Sequence, residues 1–355
     1  MKILITTPNF EKQGGVASYI RTLKEHFSVS VDYFIIGART SGEGTLASLK
    51  RVIKDTWNFH KKLTENKYDI VHLNPSLGWK AVLRDGVLLL IAKHLKHKSI
   101  VFFHGWNKEF ESRLVGLKLK MFKSTYFRAD AIIVLAKEFQ RKLRSWGYTG
   151  AIYAETTAID DGVMRDFEVD KRIAQHRNQI NLLFLARVEK DKGIYEAIQA
   201  YYLLKGKHRN LTLTVAGDGS ELEAVKEYVR NNNVRTVEFA GYVRGKDKGK
   251  VFAEADIYLF PTYGEGMPAS VLEAMAFGLP IVTRPVGGTK DFFEDGKMGF
   301  ITESLEPQVF TDLIEKLIEN PQLRKRMSEY NHEYAKERFM ASKVAERLQM
   351  IYESM

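Results

Sequence analysis

The sequence predicts an α/β protein of two Rossmann-like, doubly wound parallel-sheet domains, and three observations carry that expectation. At 355 residues the chain is longer than one hydrophobic core usually spans. Short runs rich in Val, Ile, Leu and aromatic residues alternate with longer amphipathic segments, as parallel βαβ units require. The alternation stops near residue 160 and then starts again.

In the first half the strand-like runs are KILITT, VDYFIIG, YDIVHLN, SIVFFHG and AIIVLA, with a helix beginning near Gly15. In the second half they are INLLFLAR, LTLTVAGDG, TVEFAGYV, IYLFPT and LPIVTRP. Between them DDGVMRDFEVDKRIAQHRNQ, residues 160–179, is charged, lacks a strand pattern and reads as a connector. The final SKVAERLQMIYESM is an amphipathic helix whose Val344, Leu348 and Ile351 share one face. That face must pack on something.

Composition narrows the class. Hydrophobic residues make up 45% of the chain and no tract is low in complexity, so a folded globular protein is expected. The absence of cysteine excludes disulfides, iron–sulfur clusters and thiolate zinc, and fits a cytoplasmic location. MKILITTPNF leads straight into a strand, which argues against a signal peptide. The longest apolar run, GVLLLIA, is far shorter than the roughly 20 residues of a spanning helix, so any membrane contact is expected to be peripheral. Charge is unevenly spread: residues 1–150 hold 26 Lys and Arg against 12 Asp and Glu, and the remainder 28 against 32. A basic first half suits nucleic acid, an anionic membrane or a phosphate-bearing substrate.

The segment YGEGMPASVLEAMAFGLP, Tyr263 to Pro280, holds the clearest chemistry. IYLFPT reads as a strand and YGEG as a turn; Pro268 suits a first helical position, and Gly278 ends the helix. Ligands of α/β sheets bind beyond the carboxyl ends of strands, where the amides around Met267 to Val271 are free for an anion. Glu273, about one turn into that helix, suits a ribose diol better than a phosphate, and Glu265 on the turn suits another polyol. Spacing alone is equally consistent with two surface acids, Glu273 being favoured by the helix dipole.

In LARVEKDKG, Arg187 and Lys192 flank a strand end, where they can hold phosphate or be balanced by Glu189 and Asp191. VAGDGS, with Gly217, and FAGYV, with Tyr242 and Val243, are further strand ends with glycine turns. Gly14 and Gly15 precede the first helix without the G-x-G-x-x-G spacing, so a dinucleotide oxidoreductase gains no support. VFFHGW places His104 at a strand end, able to exchange a proton there or to be a structural histidine. HLNPSL, with His72 and Asn74, is a weaker instance. His94 and His97 have no carboxylates at ligand spacing, so no metal site is expected.

Taken in order, GGVASYI, FFHGW, ARVEKDKG, AGDGSELE, VEFAGYV and EGMPASVLEAMAFGLPIVTRPVGG resemble the family 4 retaining glycosyltransferases of the GT-B fold over nearly the whole chain. The resemblance implies two Rossmann-like domains facing a cleft, with residues 1–165 plus a returning helix 337–355 binding acceptor and residues 166–336 binding a nucleotide-sugar donor. It implies that Arg187 and Lys192 bind the donor diphosphate and support the departing charge, and that Glu273 meets the ribose. Glu265 would face the donor sugar beside the amides of Gly266, Met267, Pro268 and Ala269, Pro268 lending only its carbonyl and shape. His104 would stand near the reaction centre, Gly15 near the diphosphate, Gly217 at the donor site, and Tyr242 and Val243 against the base. No metal or other cofactor is implied. Retention in this family is attributed to attack from the leaving group's own face, the leaving phosphate taking the acceptor proton. The sequence departs from many relatives at GGTKDFF, where a branched residue and Pro-Glu are common, and at Met267.

A UDP-sugar is the favoured donor, with GDP-mannose as the second. The acceptor is expected to be a glycan or a lipid-linked molecule of polysaccharide or glycolipid assembly, the basic half resting on the inner, anionic face of a membrane. The alternatives are a nucleotide-sugar epimerase or a phosphorylase of the same fold and, more remotely, a nucleic-acid-binding protein, although paired glutamates in a glycine-rich turn do not suit nucleic acid.

Overall fold

The structure is a computed structural model that describes residues 1–11, 14–37, 44–165, 167–174, 179–234 and 236–355. Lys12 and Gln13 of the loop before Gly15, and residues 166 and 175–178 of the connector, lie outside the described residues. The chain forms two compact units, Met1–Ala158 together with Ala341–Met355, and Ile159–Met340.

The first unit runs β1 (Lys2–Thr7), α1 (Gly15–Leu23), β2 (Ser30–Ile35), α2 (Thr45–Glu65), β3 (Ile70–Leu73), β4 (Ser76–Leu77) and α3 (Trp79–His94). It continues with β5 (Lys98–Phe103), β6 (Gly105–Trp106), α4 (Lys108–Ser112), α5 (Gly116–Tyr126), β7 (Ala131–Val134), α6 (Lys137–Ser145) and β8 (Ala151–Ala154). Six strands make one parallel sheet in the order β2-β1-β3-β5-β7-β8, while β4 pairs with β6. Ile3, Leu4 and Ile5 of β1 and Ile132, Ile133 and Val134 of β7 have no exposed surface. Helices on both faces of a parallel sheet require this, and it is why these strands are continuous apolar runs. α3 packs against both α2 and α5, and α1 against β1. The crossover direction reverses between β1 and β3, so their carboxyl ends border the crevice where such sheets take ligands.

The second unit begins with a 3₁₀ turn (Asp161–Met164) and α7 (Val169–Ala174), then β9 (Ile180–Leu185), a 3₁₀ turn (Lys190–Lys192), α8 (Ile194–Lys207), β10 (Leu211–Ala216) and α9 (Leu222–Asn231). It continues with β11 (Val237–Gly241), α10 (Gly245–Glu254), β12 (Ile257–Phe260), α11 (Ala269–Ala276), β13 (Ile281–Thr283) and α12 (Thr289–Phe292). It closes with β14 (Gly299–Ile301), α13 (Pro307–Glu319) and α14 (Pro321–Arg338). Its parallel sheet has the order β11-β10-β9-β12-β13-β14, with the reversal between β9 and β12.

The chain then returns to the first unit as α15 (Ala341–Glu353), which packs against α1. Val344, Leu348 and Ile351 are buried there, each stabilising the packing by roughly 1.5–3 kcal/mol. Arg347 Nε and Nη2 reach the buried Glu155 at 3.1 and 2.9 Å, and Tyr352 OH lies 2.7 Å from His72 Nδ1.

Four strands go beyond the sequence reading: β4 and β6, of two residues each, and β8 and β14. β8 and β14 are the edge strands of their sheets and only partly buried, so they lack the continuous apolar run that marks the central strands. Among the described residues, no helix is long and apolar enough to cross a membrane.

Candidate functional site

In the second unit, the segments that leave β9 and β12 at the reversal point are tied to one another. β9 hands over to Arg187 and the turn Lys190–Lys192; β12 hands over to the turn carrying Glu265. The amide of Tyr263 donates to Asp191 O at 2.9 Å, and Thr262 Oγ1 lies 3.3 Å from the same carbonyl. This stitching lets Lys192, only 8% exposed, place Nζ 2.8 Å from Glu265 Oε1, with Asp191 Oδ2 farther off at 3.6 Å. Arg187 turns outward instead, its Nη1 2.7 Å from Glu189 Oε1. The structure therefore joins Lys192 to Glu265 and gives Arg187 a separate carboxylate.

The glycine tail GG at Gly287 and Gly288 shapes the Glu265 turn from below. Gly288 N donates to Gly266 O at 2.7 Å, and Gly287 has φ +49. A Cβ on Gly287 would stand 2.2 Å from the carbonyl oxygens of both Glu265 and Gly266. Gly217 has the same kind of reason: a Cβ there would lie 1.9 Å from Ala186 O. Its amide donates to Gly241 O at 2.7 Å, which brings the Tyr242–Val243 turn beside it, Tyr242 exposed and Val243 half-buried.

Pro268 departs from its expected place. It is the N-cap rather than the first helical residue: ψ 105 keeps it extended, and its carbonyl accepts from the amide of Val271 at 3.1 Å. The helix starts at Ala269, so the amides between Gly266 and Ser270 lie ahead of the first satisfied turn. Met267 is buried. At the other end Gly278 (φ +66) donates to Met275 O and Leu279 to Ala274 O, at 2.8 and 2.9 Å, closing α11 in a Schellman turn. Tyr258 OH fastens the helix start to β9, lying 2.7 Å from Ser270 Oγ and 2.9 Å from Leu185 O. Burial, with Glu273 and Glu265 adding to it, raises the pKa of that phenol, so it stays neutral. Glu273 is paired with Lys248 of α10 at 2.6 Å.

In the first unit, β1, β3 and β5 bring Thr6, Asn74 and His104 together. His104 Nε2 lies 2.7 Å from Asn74 Oδ1, and Asn74 Nδ2 donates to Thr6 O at 2.9 Å. The His104 ring stacks on Phe102 (centroids 3.9 Å apart) and meets the edge of Tyr19 of α1 (4.7 Å). Burial first, and neighbouring His72 second, hold the His104 pKa well below the usual range, and burial takes His72 down to about 3. Gly15 is exposed as the first residue of α1, following Gly14 at φ 152.

Sequence reasoning did not single out Lys248, which lies in a run of charges with nothing to mark it, or Arg284, whose Nη1 donates to Thr262 O at 3.1 Å. Asn74 is a weak signal in sequence, and its link to Thr6 O joins two different strands. Among the described residues, the grouping able to offer three metal donors is His208, Glu315 and Glu319. There Lys207 Nζ, 2.9 Å from Glu315 Oε2, already supplies the positive charge.

The family model for glycosyl transferases group 1 matches residues 166–334. A glycosyltransferase of Methanocaldococcus jannaschii is 33% identical over 307 residues, covering 84% of this chain and 78% of that protein. The capsular polysaccharide biosynthesis glycosyltransferase CapM of Staphylococcus aureus is 26% identical over 223 residues, 61% of this chain and 56% of CapM. Among solved structures, HepE of Anabaena in complex with UDP and glucose superposes with a TM-score of 0.75 over 100% of both chains, at 19% identity. Sucrose-phosphate synthase of Thermosynechococcus elongatus gives 0.76 over 99% of this chain and 98% of that one, at 16% identity. These two likenesses establish the GT-B fold.

Proposed function

The chain belongs to the glycosyl transferases group 1 family and is a glycosyltransferase, and on that premise we propose that it is a retaining enzyme that takes a hexose from a UDP-sugar. One observation supports this above the rest. At the reversal between β9 and β12, a helix start has one carboxylate before it, tied to the buried Lys192, and another within it, tied to Lys248. A sugar nucleotide has a matching order: hydroxyls, diphosphate, hydroxyls.

In this reading Glu265 accepts hydrogen bonds from the sugar being moved and Glu273 from the ribose diol. The amides of Gly266 to Ala269, with Lys192 and Arg187, hold the diphosphate; Gly217 admits its backbone approach and Tyr242 and Val243 flank the base. The bond from the sugar's anomeric carbon to the phosphate oxygen breaks, and its electron pair leaves with the nucleoside diphosphate. The acceptor hydroxyl forms the new bond on the same face and gives its proton to that departing phosphate. Lys192, Arg187 and the helix amides stabilise the charge that develops, so no metal or other cofactor is needed. His104 is assigned to the donor sugar and Gly15 to the diphosphate. That HepE is solved with UDP-glucose as well as with UDP supports the choice of donor, and GDP-mannose is the second.

The acceptor is assigned to glycan or lipid-linked molecules of polysaccharide or glycolipid assembly; the name of the relative CapM, which places that protein in capsular polysaccharide biosynthesis, supports the first of these settings. The basic first half supports an acceptor presented at the cytoplasmic, anionic face of a membrane, with residues 1–165 and 337–355 serving the acceptor and 166–336 the donor.

Thermal shifts with UDP and GDP, then with UDP-glucose, UDP-GlcNAc, UDP-galactose and GDP-mannose, test this. A ligand at 100 times its dissociation constant stabilises by about 2.7 kcal/mol. No shift with any nucleoside diphosphate at saturation sinks the reading. Product analysis then separates transfer from epimerisation, which needs no acceptor, and from phosphorolysis, which needs phosphate and a glucan.

A further inference from the structure

Helix α2 carries an apolar stripe that it does not bury. Leu46, Leu49, Ile53 and Trp57 recur at three- and four-residue intervals and so share one side of the helix. They are 59% to 77% exposed, whereas Phe59 and Leu63 supply the buried face. The neighbouring helices of the same layer repeat the feature, with Leu83 and Val87 exposed on α3 and Leu117 and Met121 on α5. α3 packs between α2 and α5, and an exposed apolar stripe of this kind marks an interaction site.

The charge around the stripe is predominantly positive. Lys50, Lys54, Lys80 and Lys120 are exposed on these three helices, and Lys61 Nζ stands 5.7 Å from the Trp57 ring centre. Acids are nearly missing from the same surface. α5 has none, Asp85 of α3 is fully buried beside Arg84, and Asp55 of α2 is buried 3.7 Å from Arg51 Nη1. Glu65, in the last turn of α2, pairs with Lys61 at 3.6 Å.

We propose that this face docks the protein on an anionic phospholipid bilayer, with Leu49, Ile53 and Trp57 entering the boundary between headgroups and acyl chains. The lysines meet the lipid phosphates around them. Apolar insertion and cation attraction both contribute at such a surface. A nucleic acid would use the lysines and leave the apolar stripe in water, and a second copy packed on the same face would set lysine against lysine. The proposal rests on the reading of a membrane-proximal acceptor made above and names the surface that meets the membrane.

The test is co-sedimentation of the full chain with phosphatidylcholine vesicles and with phosphatidylcholine–phosphatidylglycerol vesicles, followed also by tryptophan emission. Binding to the anionic vesicles alone is expected, with a blue shift that Trp57→Phe removes while binding persists. Leu49→Glu with Ile53→Glu is expected to weaken binding about tenfold or more, and Lys50→Glu with Lys54→Glu to weaken it and flatten its salt dependence. The UDP thermal shift of both variants should equal that of the parent, which shows that they are folded. Equal sedimentation of the parent and the Leu49→Glu, Ile53→Glu variant overturns the proposal. So does a parent that ignores anionic vesicles, or a dimer that those two substitutions dissociate. A UDP shift without vesicle binding removes this inference alone; vesicle binding without a nucleotide shift removes the donor reading alone.

Discussion

Asn74 Oδ1 stands 2.7 Å from His104 Nε2 while the other end of the same amide, Nδ2, is held by Thr6 O at 2.9 Å. A carbonyl only accepts, so the amide nitrogen must face Thr6 and the amide oxygen must face the histidine. His104 then donates from Nε2. With its pKa held low, the ring is neutral and Nδ1 is the acceptor it has to offer a sugar hydroxyl.

Replacing Asn74 tests that arrangement. Asn74→Asp should favour imidazolium and raise the His104 pKa, moving the acidic limb of the pH–rate profile upward; Asn74→Leu should release the tautomer. Side-chain ¹⁵N shifts of His104 read both states. A parent ring protonated on Nδ1, or limbs that do not move, would contradict the assignment.

Acid should destabilise the first unit through His72. Its folded pKa, about 3, lies below the ordinary value of 6.5, so between these values the unfolded chain binds more protons. The contribution is whole above about pH 6.5 and is lost on acidification at up to about 1.4 kcal/mol per pH unit. Asp32 and Asp130, with lowered pKa values, lose theirs only at more acidic pH. Urea midpoints between pH 7 and 5 should fall less steeply in His72→Gln than in the parent.

The Lys192–Glu265 pair separates binding from turnover. Lys192→Ala should weaken UDP binding and cost about 1–3 kcal/mol of stability by leaving the half-buried Glu265 without its partner. Glu265→Gln should keep most UDP affinity and lose turnover on the order of 10²-fold by misplacing the sugar. Thermal shift and initial rates measure the two separately; equal loss of both in Glu265→Gln would place that side chain on the nucleotide instead.

On the nucleotide side, Glu273→Ala and Arg187→Ala should each lower UDP affinity. Lys248→Ala should lower it less, since Lys248, 2.6 Å from Glu273, acts by holding that carboxylate in place. Calorimetric titration with UDP orders the three, and full affinity in Glu273→Ala would remove the ribose assignment.

Gly287→Ala should abolish turnover and lower the melting temperature, because its Cβ would meet two backbone oxygens at 2.2 Å in a left-handed conformation. Gly264→Ala, three residues upstream of Met267 and facing open space, is the control expected to melt with the parent.

By itself the sequence determined the fold class, since uninterrupted Val, Ile and Leu runs separated by amphipathic segments fit a parallel sheet covered on both faces. It also marked the turn and helix of Glu265 and Glu273, because Gly, Pro and a following apolar period are local signals. Only the tertiary structure decided partners. Lys248 meets Glu273, Thr6 orients Asn74 toward His104, and α15 packs on α1, each through contacts that strand order creates between distant residues. It decided too which apolar stripe of α2 is buried and which faces water: the periodicity of 45–65 shows both stripes, and the position of the sheet chooses between them. Local propensity is written in neighbouring residues, whereas pairing and burial depend on which elements the crossovers place side by side.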